Sequence, residues 1–341
     1  MGQPSSRSDW TRRKILALPL AAAVAAATAC GPRFDRTAFV VPARSAVGLF
    51  PAADYRVGLA DVIYRDLQTL RVDVRGRRVL LKPNLVEYES GSCINTHPLV
   101  VAGAAVAMLR AGAASVAVGE GPGHRRDIEY LLISSGLYDQ LKELRIPFVD
   151  LNQDDVSPVR LGSWFTGLRS IVLPASVLSA DLFVSAAKLK THHWAGMTCG
   201  MKNLFGIVPG SVHGRPKNFL HVHGIPESIV DLNATVRPGL TIVDAVVAME
   251  GDGPIMGSPR PVGFIGMGTD VVAVDATRAR VIGFPPACRR RFSATSMMRG
   301  SINEVKRRPG TERDSRLSRA CDTSETTQNR DPRVGDHALM K

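Results

Sequence analysis

The chain has 341 residues, of which 45% are hydrophobic and 22% are charged, so it can bury one large core or two modest ones and is not wholly disordered. The formal net charge is +12, but residues 1–36 carry +4 and residues 288–341 carry +6, which leaves +2 for the middle. Phe292 is the single aromatic residue of the basic C-terminal segment. Basic tails without stacking residues argue against a nucleic-acid partner.

The N-terminal 29 residues have the pattern of a twin-arginine export signal. Arg12 and Arg13 precede an apolar run, residues 15–27, that is too short to span a bilayer as a mature helix. Small residues lead into Cys30 in "ATAC", which resembles a lipoprotein cleavage site. We therefore expect export to the periplasm or cell envelope, with membrane association only through the signal peptide or a lipid on Cys30. The alternative is a fortuitous Ala-rich helix.

Cysteine spacing limits the metal chemistry. An oxidising compartment permits disulfides among Cys93, Cys199, Cys288 and Cys321, but the sequence does not pair them. There is no C-x-x-C, so an iron–sulfur cluster or a four-cysteine zinc site has no local support.

Strand-like and helix-like segments alternate beyond a linker at residues 30–50. The predicted strands lie in "RRVLLKPN", "SVAVGEGPG", "IPFVDL", "ADLFVSAAKLKTHH", "GLTIVDAVVAMEGDGP" and the start of "GFIGMGTDVVAVDATRARVIG". The predicted helices lie in "HPLVVAGAAVAMLRAG", "IEYLLISSGLYDQLKEL" and the end of that last segment. This alternation predicts, over residues 51–287, an α/β fold with a mostly parallel sheet flanked by helices, as one sheet or as two α/β lobes with a cleft. Residues 288–341 are predicted to be a basic, weakly structured or divergent tail.

Polar clusters follow four of the predicted strands directly. Loops at the carboxyl ends of parallel strands converge on one edge, where ligands bind in open sheets. Residues 188–210 hold three lysines and no acid, so we expect unpaired lysines there that receive a small anionic ligand. The predicted substrate-binding residues are Lys82, Asn84, Glu120, Lys188, Thr191, Asn203 and Asp244.

Three of these clusters also have simpler interpretations. Lys82-Pro83-Asn84 suits an ordinary turn, since Pro and Asn favour turns. "GEGPG" is either an anion-cradling loop or a plain Gly-rich strand exit, because it lacks the lysine of a phosphate-binding loop. "AMEGDGP" offers a cation Glu250 and Asp252, or forms a tight turn with its acids in water, which we favour.

Histidines supply the remaining candidate chemistry. His192 is the candidate acid/base because an ordinary histidine titrates near neutral pH, and Lys190 and Lys202 are the other catalytic candidates. In an extended segment His192 and its neighbour His193 would point to opposite faces, so one of them at most would face the site. On a strand, His221 and His223 would share a face and are the candidate metal ligands.

The segments that hold these residues resemble the DUF362 family, a domain of unknown function. The resemblance covers roughly residues 75–285, through "VLLKPNLV", "THPLVVAGAAVAMLRAGAASVAVGEGPG", "LFVSAAKLKTHHWAGMTCGMKNLFGIVPG", "IVDAVVAMEGDGPIMG" and "DVVAVDATRARVIG". Some members carry ferredoxin-like cysteine motifs, which imply a redox function; these motifs are absent here.

The same central segment is similar, more loosely, to the core of the nickel-pincer lactate racemase family. That resemblance implies that Lys202 carries a nicotinate-derived pincer, that His192 or His193 is the acid/base, and that His221 or His223 ligates nickel. The second catalytic histidine and the N-terminal motifs of that family have no clear counterparts in this sequence.

The sequence thus favours an exported enzyme acting on a small carboxylate or phosphate metabolite, with the cofactor unknown and a metal or pincer as the candidates. The alternative is a non-catalytic periplasmic binding protein for a small anion, since no complete catalytic constellation is evident.

Overall fold

The structure of the protein is a computed structural model that describes residues 44–56, 58–123, 126–214 and 218–283. The predicted signal, most of the linker and the C-terminal tail lie outside those residues. The first strand begins at Val47, within the residues assigned to the linker.

Within the described residues the chain forms ten strands, nine α-helices and one 3-10 helix. The strands are β1 (Val47–Pro51), β2 (Arg78–Lys82), β3 (Ser115–Glu120), β4 (Phe148–Asp150), β5 (Val156–Arg160), β6 (Ser170–Pro174), β7 (Leu182–His192), β8 (Gly196–Thr198), β9 (Leu240–Glu250) and β10 (Ser258–Gly268). The helices are α1 (Leu59–Thr69), α2 (Pro98–Arg110), α3 (Ile128–Ser134), α4 (Leu137–Glu143), α5 (Ala175–Ser179), α6 (Gly210–His213), α7 (Asn218–Val222), α8 (Ile225–Val236), α9 (Val271–Val281) and the 3-10 helix Lys202–Ile207.

Eight strands form one sheet, in the order β1-β10-β9-β7-β2-β3-β4, with β8 paired to β7. The central strands β9, β7, β2, β3 and β4 are mutually parallel. Strand β10 runs antiparallel to both β9 and β1. The remaining strands, β5 and β6, form a separate antiparallel ribbon. The predicted α/β class and the mostly parallel sheet are therefore confirmed, as one main sheet.

Helices cover both faces of this sheet because its central strands are apolar on both sides. One face packs α1, α2 and α4 against residues such as Leu81 and Val184. The other face packs the 3-10 helix and α8 against Leu80 and Phe183. Near-continuous apolar runs are the usual pattern of strands buried on both faces. No helix among the described residues is long and apolar enough to cross a membrane.

The one predicted helix over "IEYLLISSGLYDQLKEL" is in fact two. Helix α3 ends before Gly136, which has a φ of 76°, and α4 begins directly after it. That left-handed conformation favours glycine and ends a helix, so the chain turns between α3 and α4.

Candidate functional site

The sheet offers a site where β7 continues past its neighbour β2. Strand β2 ends at Lys82, opposite Ser185, whereas β7 continues for seven more residues to His192. Along that extension β8 pairs with Lys190 to His192. Lys190 and His192 stand two residues apart in regular pairing with β8, which places them on one face of the strand, whereas the pairing with β9 shifts register between Lys188 and Lys190. All three are buried.

Lys82 and Glu120 form a buried ion pair at the carboxyl ends of β2 and β3. Lys82 Nζ lies 2.8 Å from Glu120 Oε2 and also donates to Asn203 Oδ1 at 3.1 Å and to the Pro83 carbonyl at 2.9 Å. The Glu120 carboxylate also accepts from the backbone N–H of Leu85. Three acceptors around one ammonium satisfy all its protons, so this lysine is fully engaged within the protein.

A glycine makes this pair possible. A Cβ on Gly206 would lie 2.0 Å from Glu120 Oε1 and 2.5 Å from Lys82 Nζ, so only a residue without a side chain fits. The 3-10 helix that contains Gly206 therefore rests directly on the ion pair.

Lys188 belongs to a second closed network. Its Nζ lies 2.9 Å from Asp244 Oδ2 and 2.9 Å from the Tyr55 hydroxyl, which itself donates to Asp244 Oδ1 at 3.0 Å. The backbone N–H of His97 donates to the same carboxylate, and the His97 ring stacks on Tyr55 with centroids 3.7 Å apart. Burial, followed by the Asp244 charge, raises the pKa of Tyr55, so the phenol remains protonated and acts as a donor.

The expectation that the lysines of residues 188–210 are unpaired is therefore wrong for Lys188, and Lys82, a predicted substrate-binding residue, is paired as well. Both ammonium groups are bound by the two carboxylates, Glu120 and Asp244, that we also expected to bind substrate. Glu120 and Asp244 lie on β3 and β9, outside residues 188–210. The lack of acidic residues within 188–210 therefore does not mean that the lysines are unpaired. Asn203 is likewise engaged, donating to the Lys82 carbonyl and to Ser185 Oγ.

Lys190 differs from its two neighbours. It is 1% exposed, and its Nζ donates to the Ile94 carbonyl at 2.8 Å. Among the described residues no carboxylate forms an ion pair with it, because Glu120 and Asp244 are bound by the other lysines. Burial, followed by repulsion from Lys202 and Lys188, lowers its pKa well below the usual lysine value.

Lys202 opens the 3-10 helix at the same edge. Its Nζ lies 4.1 Å from the centroid of the Phe205 ring, a cation–π arrangement. Burial, followed by repulsion from Lys82, lowers the pKa of Lys202 to about 8. The preceding backbone is fixed by Asp275 on α9, whose carboxylate accepts from the N–H groups of Gly200 at 2.8 Å and Met201 at 2.9 Å.

The two adjacent histidines lie together rather than on opposite faces. Strand β7 ends at His192 and His193 begins a turn, so the alternation of an extended chain does not apply. Their ring centroids are 5.1 Å apart. His193 faces Gly253, whose carbonyl lies 3.0 Å from its Nδ1.

His192 is held in one tautomer. Its Nδ1 accepts from the backbone N–H of Trp194 at 3.1 Å and of Ala195 at 3.2 Å, so in the neutral ring Nε2 carries the proton. Burial, followed by the charge of Lys202, lowers the pKa of His192 to about 2. The role expected from the sequence, exchanging a proton near neutral pH, does not fit such a ring. A neutral imidazole of this kind instead donates a hydrogen bond from Nε2, as in sites that polarise a carbonyl.

The candidate metal ligands are separated. His221 lies in α7 and His223 follows that helix. The two residues are not on a strand, so the predicted shared strand face does not exist. The His221 ring contacts Trp194 and Phe205, whereas His223 contacts Phe219. No group of three His, Cys, Asp or Glu side chains suited to a metal occurs in the described part of the chain.

Two predicted binding residues carry buried polar atoms that have no hydrogen-bond partner among the described residues. They are Asn84 Oδ1, just past β2, and Thr191 Oγ1, next to Lys190. Buried polar atoms normally form hydrogen bonds. Two buried atoms without partners at the carboxyl edge of the sheet therefore suit a place where a ligand binds. In "AMEGDGP" the first three residues end β9 and the chain turns from Gly251 onward; Glu250 Oε2, at the end of the strand, lies 3.8 Å from Arg260 Nη1.

Sequence reasoning missed Tyr55, His97 and Asp275. Tyr55 and His97 bind Asp244, 189 and 147 residues away along the chain, so no local pattern marks them. A capping signal was available for His97, which stands before Pro98 at the start of α2 and whose Nδ1 accepts from Leu99 N.

The chain is similar to several known proteins. It is 32% identical over 222 residues to a thylakoid-associated protein of Synechocystis sp., covering 62% of this chain and 65% of that relative's length. Among solved structures, the lactate racemase apoprotein of Thermoanaerobacterium thermosaccharolyticum superposes with a TM-score of 0.44 at 12% identity, over 72% of this chain and 59% of that one. A Thermotoga maritima protein gives a TM-score of 0.39 at 15% identity, over 70% and 58%. At these scores the structural likeness is too weak to indicate a shared activity.

The family comparison covers more than half of the chain. The family described as "Domain of unknown function (DUF362)" matches residues 79–280, which run from β2 to α9 and include both lysine networks, Lys190 and Lys202. The chain therefore belongs to the DUF362 family.

Proposed function

We propose that this protein is an exported enzyme that acts on a small anionic metabolite, a carboxylate or phosphate, bound at the carboxyl edge of β7. The observation that carries the proposal is the burial of Lys190 beside Lys202 without a carboxylate for either among the described residues. Burying unneutralised cationic groups is costly, and an anionic ligand would remove that cost.

Different residues would bind different parts of the substrate. Lys202 would hold the anionic group with its ammonium, and the Nε2–H of His192 would donate to an oxygen of the substrate. Asn84 Oδ1 is an acceptor, so it would bind a hydroxyl hydrogen of the substrate and not the anionic group. Lys82, Glu120, Lys188 and Asp244 would support the edge from behind, since their charges are mutually satisfied.

Export supports a metabolite outside the cytoplasm. Arg12, Arg13 and the apolar run before Cys30 are typical of the twin-arginine route, with the chain anchored by a lipid if Cys30 is acylated. Mass spectrometry of the mature N-terminus from an exporting host tests this proposal. Retention of residues 1–29 would contradict it.

The nickel-pincer cofactor stays a hypothesis from resemblance. Lys202 and His221 both contact the Phe205 ring, which brings the residue that would carry the pincer and one candidate nickel ligand to the same aromatic side chain. That cofactor would need one histidine and no cluster of protein ligands, and we derive no step through it. Elemental analysis and intact mass of protein from a host that makes the pincer test the hypothesis: nickel, or added mass on Lys202, would support it, and unmodified protein without nickel would contradict it.

Proton uptake on binding tests the anion site. An anion beside Lys202 raises its pKa from about 8 back toward the ordinary value, so binding near pH 8.5 takes up a proton. Calorimetric titration with pyruvate, lactate and inorganic phosphate in buffers of different ionisation enthalpy measures this uptake. We expect Lys202→Gln to abolish binding and uptake, and Lys142→Gln, at an exposed position on α4, to change neither. Binding that survives Lys202→Gln would contradict the assignment.

A binding protein is the second candidate, since burial lowers the pKa of His192 and a neutral ring that donates one hydrogen bond would serve binding as well as catalysis. Turnover separates the two. An enzyme in which His192 polarises the substrate should lose turnover in His192→Ala while still binding the anion. A binding protein should bind without turnover in every variant.

A further inference from the structure

Lys190 combines features that none of the three other lysines near it shares. Its backbone is paired on both sides, to Met249 of β9 and to Thr198 of β8, so the side chain projects from a fixed position. It is as buried as Lys82 and Lys188, yet its ammonium lacks the carboxylate that each of those has.

We propose that Lys190 is a covalent nucleophile that forms a Schiff base with a small 2-oxo acid, an inference that rests on the anion site proposed above.

The hydrogen bonds at Nζ leave the lone pair of a neutral amine available. Lys82 Nζ donates to three acceptors and Lys188 Nζ to two, including a carboxylate in each case, so both remain protonated ammonium groups. Lys190 Nζ donates to the Ile94 carbonyl, which uses one proton of the amine. The neutral amine therefore keeps a lone pair that no donor among the described residues occupies.

The charges around Lys190 favour that neutral form. Lys188 and Lys202 repel its proton, and burial removes the water that would solvate an ammonium. Proteins activate lysine nucleophiles in this way, by desolvation or by a second cationic group nearby. Glu120 and the Cys93 thiol raise the pKa of Lys190, but less than burial and the two lysines lower it, and Glu120 is itself bound by Lys82.

The neighbouring residues match a substrate that has a carboxylate next to a carbonyl. Lys202 carries the charge that a carboxylate requires. His192 stands two residues beyond Lys190 on the same face of β7, and its Nε2–H can donate to the carbonyl oxygen. A carboxylate and an adjacent carbonyl on one small molecule define a 2-oxo acid.

The reaction is balanced without an oxidant or a reductant. The neutral amine attacks the carbonyl carbon and forms a C–N bond, and a proton from nitrogen passes to the oxygen. The resulting carbinolamine loses that oxygen as water, with the second amine proton, and leaves a C=N double bond. The product is an imine between the substrate carbon and Lys190 Nζ. Once protonated, this imine acts as an electron sink.

Reductive trapping tests this step. The full-length exported protein is incubated with pyruvate and cyanoborohydride near pH 7.5, and the modified lysines are identified by peptide mass mapping. We expect a saturable reduced adduct on Lys190 in excess over exposed Lys142, by about tenfold for each pH unit by which the Lys190 pKa is lowered until it reaches the pH of the assay, where the neutral fraction saturates. Lactate, which lacks the carbonyl, should compete with pyruvate and form no adduct.

Controls separate this inference from the anion site. In Lys190→Met the Lys190 adduct cannot form, and the position stays uncharged with most of the volume of the lysine stem; if this variant does not fold, the ratio of Lys190 to Lys142 labelling in the natural chain decides alone. Saturable pyruvate binding with equal or absent labelling of Lys190 would overturn the Schiff base and leave the anion site standing. Failure of both pyruvate and lactate to bind would contradict the anion site and the Schiff base together.

Discussion

Replacing Lys82 and Lys190 by methionine separates a structural lysine from a functional one. Methionine keeps most of the volume of the lysine stem and removes the ammonium. In Lys82→Met the Glu120 carboxylate, 1% exposed, loses its counter-ion and keeps two backbone N–H donors, from Leu85 and Gly121. An uncompensated buried charge of this kind costs about 3–5 kcal/mol of unfolding free energy.

The same substitution at Lys190 should change the free energy of unfolding in the opposite direction. No carboxylate among the described residues loses a partner, and only the Ile94 carbonyl loses a donor, at about 1 kcal/mol. Against that, the desolvation cost of burying a lysine head group disappears, which is worth about 1–3 kcal/mol. Lys190→Met should therefore be neutral or more stable by about 1–2 kcal/mol.

Urea unfolding at pH 7 measures both variants, with the midpoint and slope compared with those of the natural chain. The double variant Lys82→Met/Glu120→Gln is the control, because it removes the stranded charge and should recover most of the stability lost in Lys82→Met. If Lys190→Met is destabilised as strongly as Lys82→Met, the argument that Lys190 lacks a counter-ion is wrong.

Three further predictions concern stability. Gly206→Ala places a Cβ against the Lys82–Glu120 pair and should lower the urea midpoint by the equivalent of about 1–3 kcal/mol, and an unchanged midpoint would show that the 3-10 helix can move away. Burial raises the pKa of Asp66 from 3.8 to about 7, so the folded chain binds this proton more tightly and stability should fall as pH rises across that window; Asp66→Asn should flatten the slope measured by thermal unfolding. Burial lowers the pKa of Lys202 from 10.5 to about 8, so between pH 8 and 10.5 the unfolded chain binds a proton that the folded chain has lost. The free energy of unfolding should therefore rise with pH across that range. Lys202→Met should reduce this rise, and Lys142→Met should not.

The sequence by itself determined six of the ten strands in the described residues, β2, β3, β4, β7, β9 and β10, and their alternation with helices; β1, β5, β6 and β8 were not predicted. These features follow from local patterns: "LFVSAAKLKTHH" reads as a buried strand with a polar exit, but in the structure the polar residues through His192 are still part of β7. The antiparallel direction of β10 and the break at Gly136 were not predicted, because strand direction depends on the partner strand and the helix pattern continues across that glycine.

Only the tertiary structure decided which lysines are available. Lys82 and Glu120 are 38 residues apart, and Lys188 and Asp244 are 56 apart. Whether an ammonium meets a carboxylate across such separations depends on sheet order, and adjacent parallel strands bring the ends of β2 and β3, and of β7 and β9, together. Residues 188–210 contain no acid, yet Lys188 is paired with Asp244 on β9. In the same way Lys82 on β2 is paired with Glu120 on β3. Lys190 differs because Glu120, a carboxylate that acts on it electrostatically, is already bound by Lys82, and no local sequence pattern can show this.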